Sequence, residues 1–323
     1  MRVWQLLFVC AALASENPGT PLEATGKVIL PGVHGRIDHL AADFYHGRLF
    51  VAALGDNSLQ VLDVRNNSVL GSIPGLAEPQ GVVYVKASNR IFVASGGDGT
   101  LNAYDGGTLK LVSSLRLGTD ADNIRMDVRR GRLYVGYGTG ALAVLDLNGK
   151  KLADIPLKAH PESFQFAEKQ ARIFVNLPDA HSIAVLDCDN YKVTAEWPVR
   201  DGSDNFPLAL DEANKRIFVV CRHPARLLVL DLDSGLVLAR LPTVGDADDL
   251  SYDPIHGRLY VIGGEGQIAI YAQKSANEYA EIGRIATVAG ARTGLFVPEW
   301  NRFFVAVREF GGHPAEIRIY EPH

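Results

Sequence analysis

The chain has 323 residues, of which 47% are hydrophobic, 21% charged and 8% aromatic, and this composition excludes a disordered, collagenous or coiled-coil protein. The 32 Lys and Arg residues against 37 Asp and Glu residues give a formal net charge of -5. This charge argues against a nucleic-acid partner, because phosphate binding needs clustered cations. Three Cys residues without a Cys-x-x-Cys pair support neither a disulfide scaffold nor a thiolate zinc site.

The first fourteen residues have the pattern of a secretory signal peptide. Arg2 supplies a positive start, residues 3–12 form an almost unbroken apolar stretch, and Ala12-Leu13-Ala14 matches the small-x-small cleavage pattern. The alternative is a buried N-terminal helix. The apolar stretch is too short to span a bilayer, and no other segment approaches the length that would. We expect cleavage near Ala14, a short linker over residues 15–24, and a periplasmic or secreted protein without a transmembrane segment.

A four-residue motif, Arg followed by two hydrophobic residues and Val, recurs seven times along the chain. The copies begin at Arg48, Arg90, Arg132, Arg172, Arg216, Arg258 and Arg302, at intervals of 42, 42, 40, 44, 42 and 44 residues. A short strand precedes each copy, as at 81–85. An apolar run that usually ends in Asp follows it, as at 142–146, and then a further run, as at 236–241. Four short strands per unit of about 42 residues, with no helical periodicity between them, predict one blade of a β-propeller.

The two ends of the chain complement each other. The last unit stops at Ile317-Arg-Ile-Tyr320 and lacks a fourth strand, while an unassigned strand over Lys27–Leu30 precedes the first unit. The N-terminal strand would complete the last blade and leave no exposed sheet edge. We therefore predict an all-β, seven-bladed β-propeller over residues 25–323, with four antiparallel strands per blade, closed by the N-terminal strand. A closed ring has no edge that demands pairing, and we expect a monomer.

The repeat resembles that of the YVTN-type, or YncE-like, seven-bladed propellers. Gly131-Arg-Leu-Tyr-Val135 followed by Leu142-Ala-Val-Leu-Asp146, and also Gly257-Arg-Leu-Tyr-Val261, carry that family's signature most literally. The resemblance covers about residues 25–321. It implies a fold and not a function, because propellers host many unrelated activities. A weaker similarity to the seven-bladed propeller lactonases implies lactone hydrolysis as an alternative.

Strand order assigns each loop to one of two faces of the propeller. The loop into a blade's first strand and the loop between its second and third strands share one face, here called the entry face. The hairpins before the repeat Arg residues lie on the other, here called the hairpin face. His34, His39, His160, His181, His223 and His313 fall on the entry face, and His46 and His256 fall in the hairpins.

Polar residues recur where the chain enters the first strands. Ten residues before each repeat Arg stand Asp38, Gln80, Asp122, Glu162, Phe206, Asp248 and Arg292, and Asp204 lies close to the fifth-blade position. Because first strands surround the channel of a propeller, we expect these residues to converge at one mouth. The predicted ligand-binding set is Asp38, His39, Asp122, Asn123, Glu162, Asp204, Asp248, Asp249 and Arg292.

Several carboxylates that face one cavity repel one another unless a cation, a base or solvent compensates. His39 and Arg292 could supply that charge from within the chain, and a divalent metal is the external candidate. The alternative is that these residues only cap backbone N–H groups at the strand entries. The spacing matches no compact metal motif, so catalytic and metal-ligating residues stay unassigned.

Three functional hypotheses follow. The sequence has no P-loop, G-x-S-x-G, H-E-x-x-H or dinucleotide fingerprint. The first hypothesis is therefore an exported binding protein that holds a small polar ligand or a protein partner on the entry face, without catalysis. The second is a lactonase-like hydrolase or isomerase of a carboxylated small molecule at the same mouth, with or without a metal. The third is a structural cell-surface module.

Overall fold

The computed structural model describes residues 20–323, so the predicted signal peptide lies outside the described residues. Over the range that is described, no helix is long and apolar enough to cross a membrane. The only helical elements in that range are short 3-10 turns at Leu54–Asp56, Lys86–Ser88, Glu168–Gln170, Pro178–Ala180 and Pro298–Trp300. The rest of this part of the chain consists of strands, turns and loops.

Six blades are built from consecutive strands, each sheet running from an innermost to an outermost strand. Blade 1 contains β2 (Leu40–Asp43), β3 (Arg48–Ala53), β4 (Ser58–Asp63) and β5 (Ser68–Pro74). Blade 2 contains β6 (Pro79–Val85), β7 (Arg90–Ser95), β8 (Thr100–Asp105) and β9 (Leu111–Arg116). Blade 3 contains β10 (Ile124–Asp127), β11 (Arg132–Tyr137), β12 (Ala141–Asp146) and β13 (Lys151–Pro156).

The next three blades repeat this order. Blade 4 contains β14 (Phe164–Ala167), β15 (Arg172–Leu177), β16 (Ser182–Asp187) and β17 (Lys192–Pro198). Blade 5 contains β18 (Ser203–Asp211), β19 (Arg216–His223), β20 (Ala225–Asp231) and β21 (Val237–Pro242). Blade 6 contains β22 (Ala247–Asp253), β23 (Arg258–Gly263), β24 (Gln267–Ser275) and β25 (Glu278–Ala286). All strands within a blade pair antiparallel.

The last blade joins the two ends of the described chain. It contains β26 (Gly294–Val297), β27 (Arg302–Val307), β28 (Ala315–Pro322) and, outermost, β1 (Leu22–Leu30). The predicted seven-bladed propeller and its closure by the N-terminal strand are confirmed. Strand β1 begins at Leu22, inside the stretch that the sequence assigned to a linker, because the Leu22 side chain is buried among Tyr260, Phe303 and Tyr320.

Hydrophobic packing lies mainly between successive blades. The aromatic residue of each repeat motif is almost completely buried, and Phe50 of blade 1 packs with Val82, Ile91 and Val93 of blade 2. A strand covered on both faces should be apolar at successive positions, as these motifs are. The seven innermost strands contact one another in a closed circle and surround a central channel.

The Arg of six of the seven motifs ties its blade to the next one on the hairpin face, whereas Arg132 donates to the carbonyls of Arg130 and Gly131 in its own hairpin. Arg48 pairs with Asp43 of its own hairpin at 2.8 Å and also donates to the carbonyl of Gly106 in blade 2. Arg90 donates to the carbonyl of Asn148 in blade 3 at 2.7 Å, and Arg302 donates across the last junction of the ring at 3.0 Å. The repeated Arg is therefore a structural residue, which leaves the function to residues that differ between blades.

Candidate functional site

The entry-face ends of the innermost strands bring most of the predicted residues together. Asp38, His39, Asp122, Asn123, Glu162 and Asp248 line one small cavity with Arg36, Ser163 and Phe206. Asp249 and Arg292 join this group, through His39 at 3.6 Å and Asp248 at 2.9 Å respectively. Eight of the nine predicted residues therefore meet at the entry-face mouth of the channel, which we call the mouth.

Regular hydrogen bonding of the backbone determines how deep in the mouth these side chains lie. The N–H groups of Asp38, Asp122 and Glu162 donate to carbonyls at the end of the neighbouring second strand, at 2.8, 2.9 and 3.0 Å. The segments that enter blades 1, 3 and 4 are thus extended and paired before their first strands begin. Successive side chains of an extended segment point to opposite sides, so equivalent positions of different blades reach the same depth at the mouth.

One side of the mouth is a network of arginines and aspartates, which we call the arginine sector. It consists of Arg36, Asp38, Arg222, Asp246, Asp248 and Arg292. The carboxylate of Asp248 contacts Arg292 Nε at 2.9 Å, Arg36 Nη2 at 3.4 Å and Arg222 Nη2. Asp246 accepts from Arg292 Nη1 at 2.9 Å. Three guanidinium groups face three carboxylates, so the formal charge of this sector balances within the protein.

His39 links Asp38 of the arginine sector to Asp249 on β22. Its Nε2 lies 3.7 Å from Asp38 Oδ1 and its Nδ1 lies 3.6 Å from Asp249 Oδ2. Burial opposes a charged ring, but the Asp249 and Asp38 carboxylates outweigh it and raise the pKa of His39 to about 10. Burial raises the pKa of Asp38 to about 7, against the opposing charges of His39 and Arg36. The ring of His39 is therefore cationic at neutral pH.

The other side of the mouth, here called the histidine sector, contains Asp122, His160 and Glu162. His160 Nδ1 lies 2.6 Å from the carbonyl oxygen of Gly138, and its Nε2 lies 3.8 Å from Asp122 Oδ2. Burial and the charge of Asp122 raise the pKa of Glu162 to about 8. Burial opposes protonation of His160, but its contacts with Asp122 and Gly138 raise its pKa to about 9. One ligand atom from each residue of the sector lies within 4.8 Å of the other two.

The mouth itself is almost filled by these side chains. The cavity left among them is about 10 Å³, which is room for about one water molecule. A much larger cavity of about 730 Å³ occupies the channel behind it. Its lining runs from His39, Asn123 and Asp249 to exposed hairpin residues such as Arg129 and Lys169. The channel therefore reaches solvent at the hairpin face, while the entry-face residues close its other end.

Arg125 lies in the wall of the channel. It stands two residues after Asn123 on β10, and alternate residues of a strand share a side. The equivalent positions of the other blades, seven residues before each repeat Arg, are uncharged: Ala41, Val83, Gln165, Ala209, Ser251 and Leu295. Its Nε is buried and has no hydrogen-bond partner among residues 20–323. Burial lowers the pKa of Arg125, and the charges of Asp249 and Asp122 only partly offset this.

Asp204 is the predicted residue that does not reach the mouth. Its carboxylate is exposed and contacts His223 Nδ1 at 2.5 Å. The register of β18 shifts between Asn205 and Leu208, and this irregularity puts Phe206 into the mouth instead. The ring of Phe206 lies 3.8 Å from the Arg222 guanidinium carbon, so it packs under the arginine sector. The residue that stands ten positions before Arg216, Phe206, is therefore the one that reaches the mouth in blade 5, and the nearby Asp204 does not.

Several side chains of the mouth and the channel were not in the predicted set. Arg36 and Asp246 lie in the irregular loops two residues before Asp38 and Asp248, where no repeat position marks them. His160 was recognised only as a residue of the entry face, and Arg222 lies near the end of β19, outside the counted positions. Arg125 could have been found, because the alternation from Asn123 points it into the channel. Of the six entry-face His residues, only His39 and His160 contact the predicted set at the mouth, and His34 pairs with Glu309 at 2.7 Å outside it.

Comparison with known proteins supports the fold alone. No protein-family model matches the chain, and no curated protein matches it. A solved structure titled Kuenenia stuttgartiensis hydrazine synthase is similar, with a TM-score of 0.77 at 16% identity, over 90% of this chain and 98% of that one. The chain is a seven-bladed β-propeller.

Proposed function

We propose that this protein is a binding propeller that holds a small anionic molecule in its central channel, without catalysis of its own. The observation that carries the proposal is the buried Nε of Arg125, which has no hydrogen-bond partner among residues 20–323 and lies in the wall of a cavity of about 730 Å³. Small-molecule sites typically measure about 300–1,000 Å³ and combine apolar walls with a few convergent polar groups.

The electrostatics favour an anion over a cation. A guanidinium without a carboxylate partner is costly to bury, and a ligand carboxylate or phosphate would supply the bidentate acceptor that matches it. His39 adds a second positive charge at the closed end of the same cavity. Asp249, the carboxylate at that end, already accepts the N–H of Gly294 at 2.9 Å and faces His39.

The remaining lining suits a compact organic molecule. Gln165 and Ser251 lie at the level of Arg125 and offer hydrogen bonds, while Leu295 and Phe296 provide apolar wall. A ligand would enter from the hairpin face, because the mouth leaves space for only about one water molecule. This places the proposed ligand behind the predicted entry-face ring, in contact with three of its members, His39, Asn123 and Asp249.

Thermal melting with defined anions tests the proposal. Acetate, benzoate, succinate, citrate and inorganic phosphate would be added separately to the purified protein, together with mass spectrometry of small molecules released on denaturation. A ligand at about 100 times its Kd adds about 2.7 kcal/mol to stability. We expect a rise in Tm, or a released anion, for the native protein and for the control Arg129→Met, which alters the exposed rim. Arg125→Met should abolish it. An equal response of Arg125→Met, or no response and no released anion in the native protein, would contradict the proposal.

A second candidate is hydrolysis of a lactone or related carboxylated molecule at the mouth. The specific observation in its favour is that two buried carboxyl groups have raised pKa values, about 7 for Asp38 and about 8 for Glu162. Groups that titrate near neutrality suit general acid–base catalysis. The substrate would have to lie over the mouth on the entry face. A lactone panel with hydrolysis above buffer that Glu162→Gln abolishes would favour this function, and the absence of hydrolysis would exclude it for those lactones.

We also propose that the protein is exported and related to the YVTN-type propellers. The support is the signal pattern of residues 2–14 and the Gly-Arg-Leu-Tyr-Val units at 131–135 and 257–261. N-terminal sequencing of the protein from the periplasm or the medium should give a mature chain that begins near Ser15. A full-length chain retained in the cytoplasm would contradict export.

A further inference from the structure

The histidine sector presents three metal-binding atoms to one point. Asp122, His160 and Glu162 each offer a ligand atom, and all three atoms lie within 4.8 Å of one another. The donors come from two neighbouring blades, since Asp122 precedes β10 and the other two precede β14. Bonds of about 2.0–2.2 Å in a tetrahedral site place ligand atoms roughly 3.3 Å apart. Asp122 Oδ2 and His160 Nε2 are 3.8 Å apart, so small rotations suffice.

The orientation of His160 is that of a metal ligand. Its Nδ1 is 2.6 Å from the Gly138 carbonyl oxygen, which can only accept a hydrogen bond. The Nδ1–H therefore donates to this oxygen, and Nε2, which faces Asp122, is the nitrogen that a metal would bind in place of a proton. Histidines that bind metals commonly donate their second ring N–H to a carbonyl or carboxylate, which fixes the tautomer.

An independent observation concerns Asp122. Its side chain is 8% exposed, it lines the mouth cavity together with Glu162, and its Oδ1 is buried without a hydrogen-bond partner among the described residues. A buried carboxylate oxygen normally has a partner. Arg36 and His39 do not fill this role, because Arg36 pairs with Asp38 and Asp248, and His39 faces Asp38 and Asp249.

We propose that Asp122, His160 and Glu162 bind one divalent transition-metal ion, best matched by Zn²⁺, at the entry-face mouth. Two carboxylates would balance the charge of the ion, and three protein ligands leave a fourth position for water. The cavity beside these residues has room for about one water molecule. One imidazole among the donors favours Zn²⁺ over Ca²⁺ and Mg²⁺, which prefer oxygen alone. This site is separate from the proposed channel ligand and does not depend on it.

Metal content measured on the full chain tests the proposal. The protein would be stripped with chelator, incubated with Zn²⁺, passed through gel filtration and analysed for zinc. We expect about one zinc per chain in the native protein, and at least a tenfold weaker affinity in Asp122→Asn, His160→Ala and Glu162→Gln. The control is His223→Ala. His223 contacts Asp204 on the entry face but outside the mouth, so this variant should keep the native zinc content. Loading with Co²⁺ should give the strong visible absorption of a four- or five-coordinate ion.

Two outcomes would overturn the proposal. One is a native protein without retained zinc, and the other is a zinc content that is the same in Glu162→Gln as in the native chain. Glu162→Gln and Asp122→Asn are nearly isosteric, so they keep the test valid if His160→Ala fails to fold. Circular dichroism and gel filtration of each variant would establish that it is folded before zinc is counted.

Discussion

The two sides of the mouth both hold buried carboxyl groups, but different cations face them. In the arginine sector, Asp248 contacts three guanidinium groups and the charges balance. In the histidine sector, Asp122 and Glu162 share one imidazole, and an oxygen of Asp122 has no partner within the described range. Both sides lie at the same depth, on equivalent loops of the ring. Burial alone therefore does not distinguish the two sectors, whereas the cation that faces the carboxylates does: three guanidinium groups on one side and one imidazole on the other.

The two sectors also differ in the blades that they connect. The arginine sector connects blades 1, 5, 6 and 7 across the mouth through ion pairs, although Arg36 Nε and Asp38 Oδ2 have no hydrogen-bond partner in the described range. The histidine sector connects blades 3 and 4, and its Asp122 Oδ1 has no hydrogen-bond partner among residues 20–323. Variants that act on one sector and leave the other intact can test this division.

The largest effect is expected from Asp248→Asn. Removal of this carboxylate charge leaves three guanidinium groups near one another, and breaking a buried ion pair from one side costs about 3–5 kcal/mol. We expect the free energy of unfolding, measured with urea, to fall by about 3 kcal/mol or more. A loss below about 1 kcal/mol would mean that the arginine sector behaves like an exposed surface network.

The charge of His39 makes stability depend on pH. The pKa of His39 is about 10 in the folded protein against 6.5 for the free side chain. The contribution of its charge to the free energy of unfolding is therefore complete below pH 6.5 and is lost as the pH rises towards 10. The carboxylates of Asp38 and Asp249 face the His39 ring, and that of Asp122 acts on it from further away. Deprotonation of Asp38 near pH 7 strengthens its ion pair with His39. We expect Tm to fall between pH 7 and 10, by the equivalent of on the order of 2 kcal/mol. His39→Gln should flatten that profile, and an unchanged slope would contradict this origin.

Glu162→Gln should affect stability much less than Asp248→Asn. In chelator-treated protein, the substitution removes repulsion between Glu162 and Asp122, and the shape of the side chain is kept. We expect a change within about 1 kcal/mol of zero, towards higher stability, in the same urea experiment. A loss comparable to that of Asp248→Asn would show that the histidine sector is as structural as the arginine sector.

The smallest effect is expected at Asp204, outside both sectors. Its contact with His223 is exposed, and exposed ion pairs contribute about 0–1 kcal/mol. Asp204→Asn should leave Tm almost unchanged and should not alter zinc content. A marked response of either quantity would mean that the mouth extends further outwards than its contacts indicate.

The repeat made the fold predictable from the sequence, but it could not reveal how loop charges pair. The spacing of the Arg motifs and the unmatched strands at the two ends were enough to predict seven blades and their closure. Equivalence between blades also brought Asp38, Asp122, Glu162 and Asp248 to one level. The partners of these residues do not occupy repeat positions: Arg36 lies in the loop before β2, and Arg222 lies near the end of β19, where that strand is longer than the second strands of the other blades. The register shift in β18 that displaced Asp204 is likewise a local event without a repeat signature.

The closing strand has a consequence for how the molecule can be handled. Leu22 pairs with Pro322, so the described chain begins and ends side by side in the last blade. Both positions lie on its two outermost strands, away from the channel. A tag or a fusion partner attached at either place should leave the ring centre accessible. The two ends could also be joined by a short linker and the chain reopened at a hairpin, which gives circular permutants with the same ring of blades.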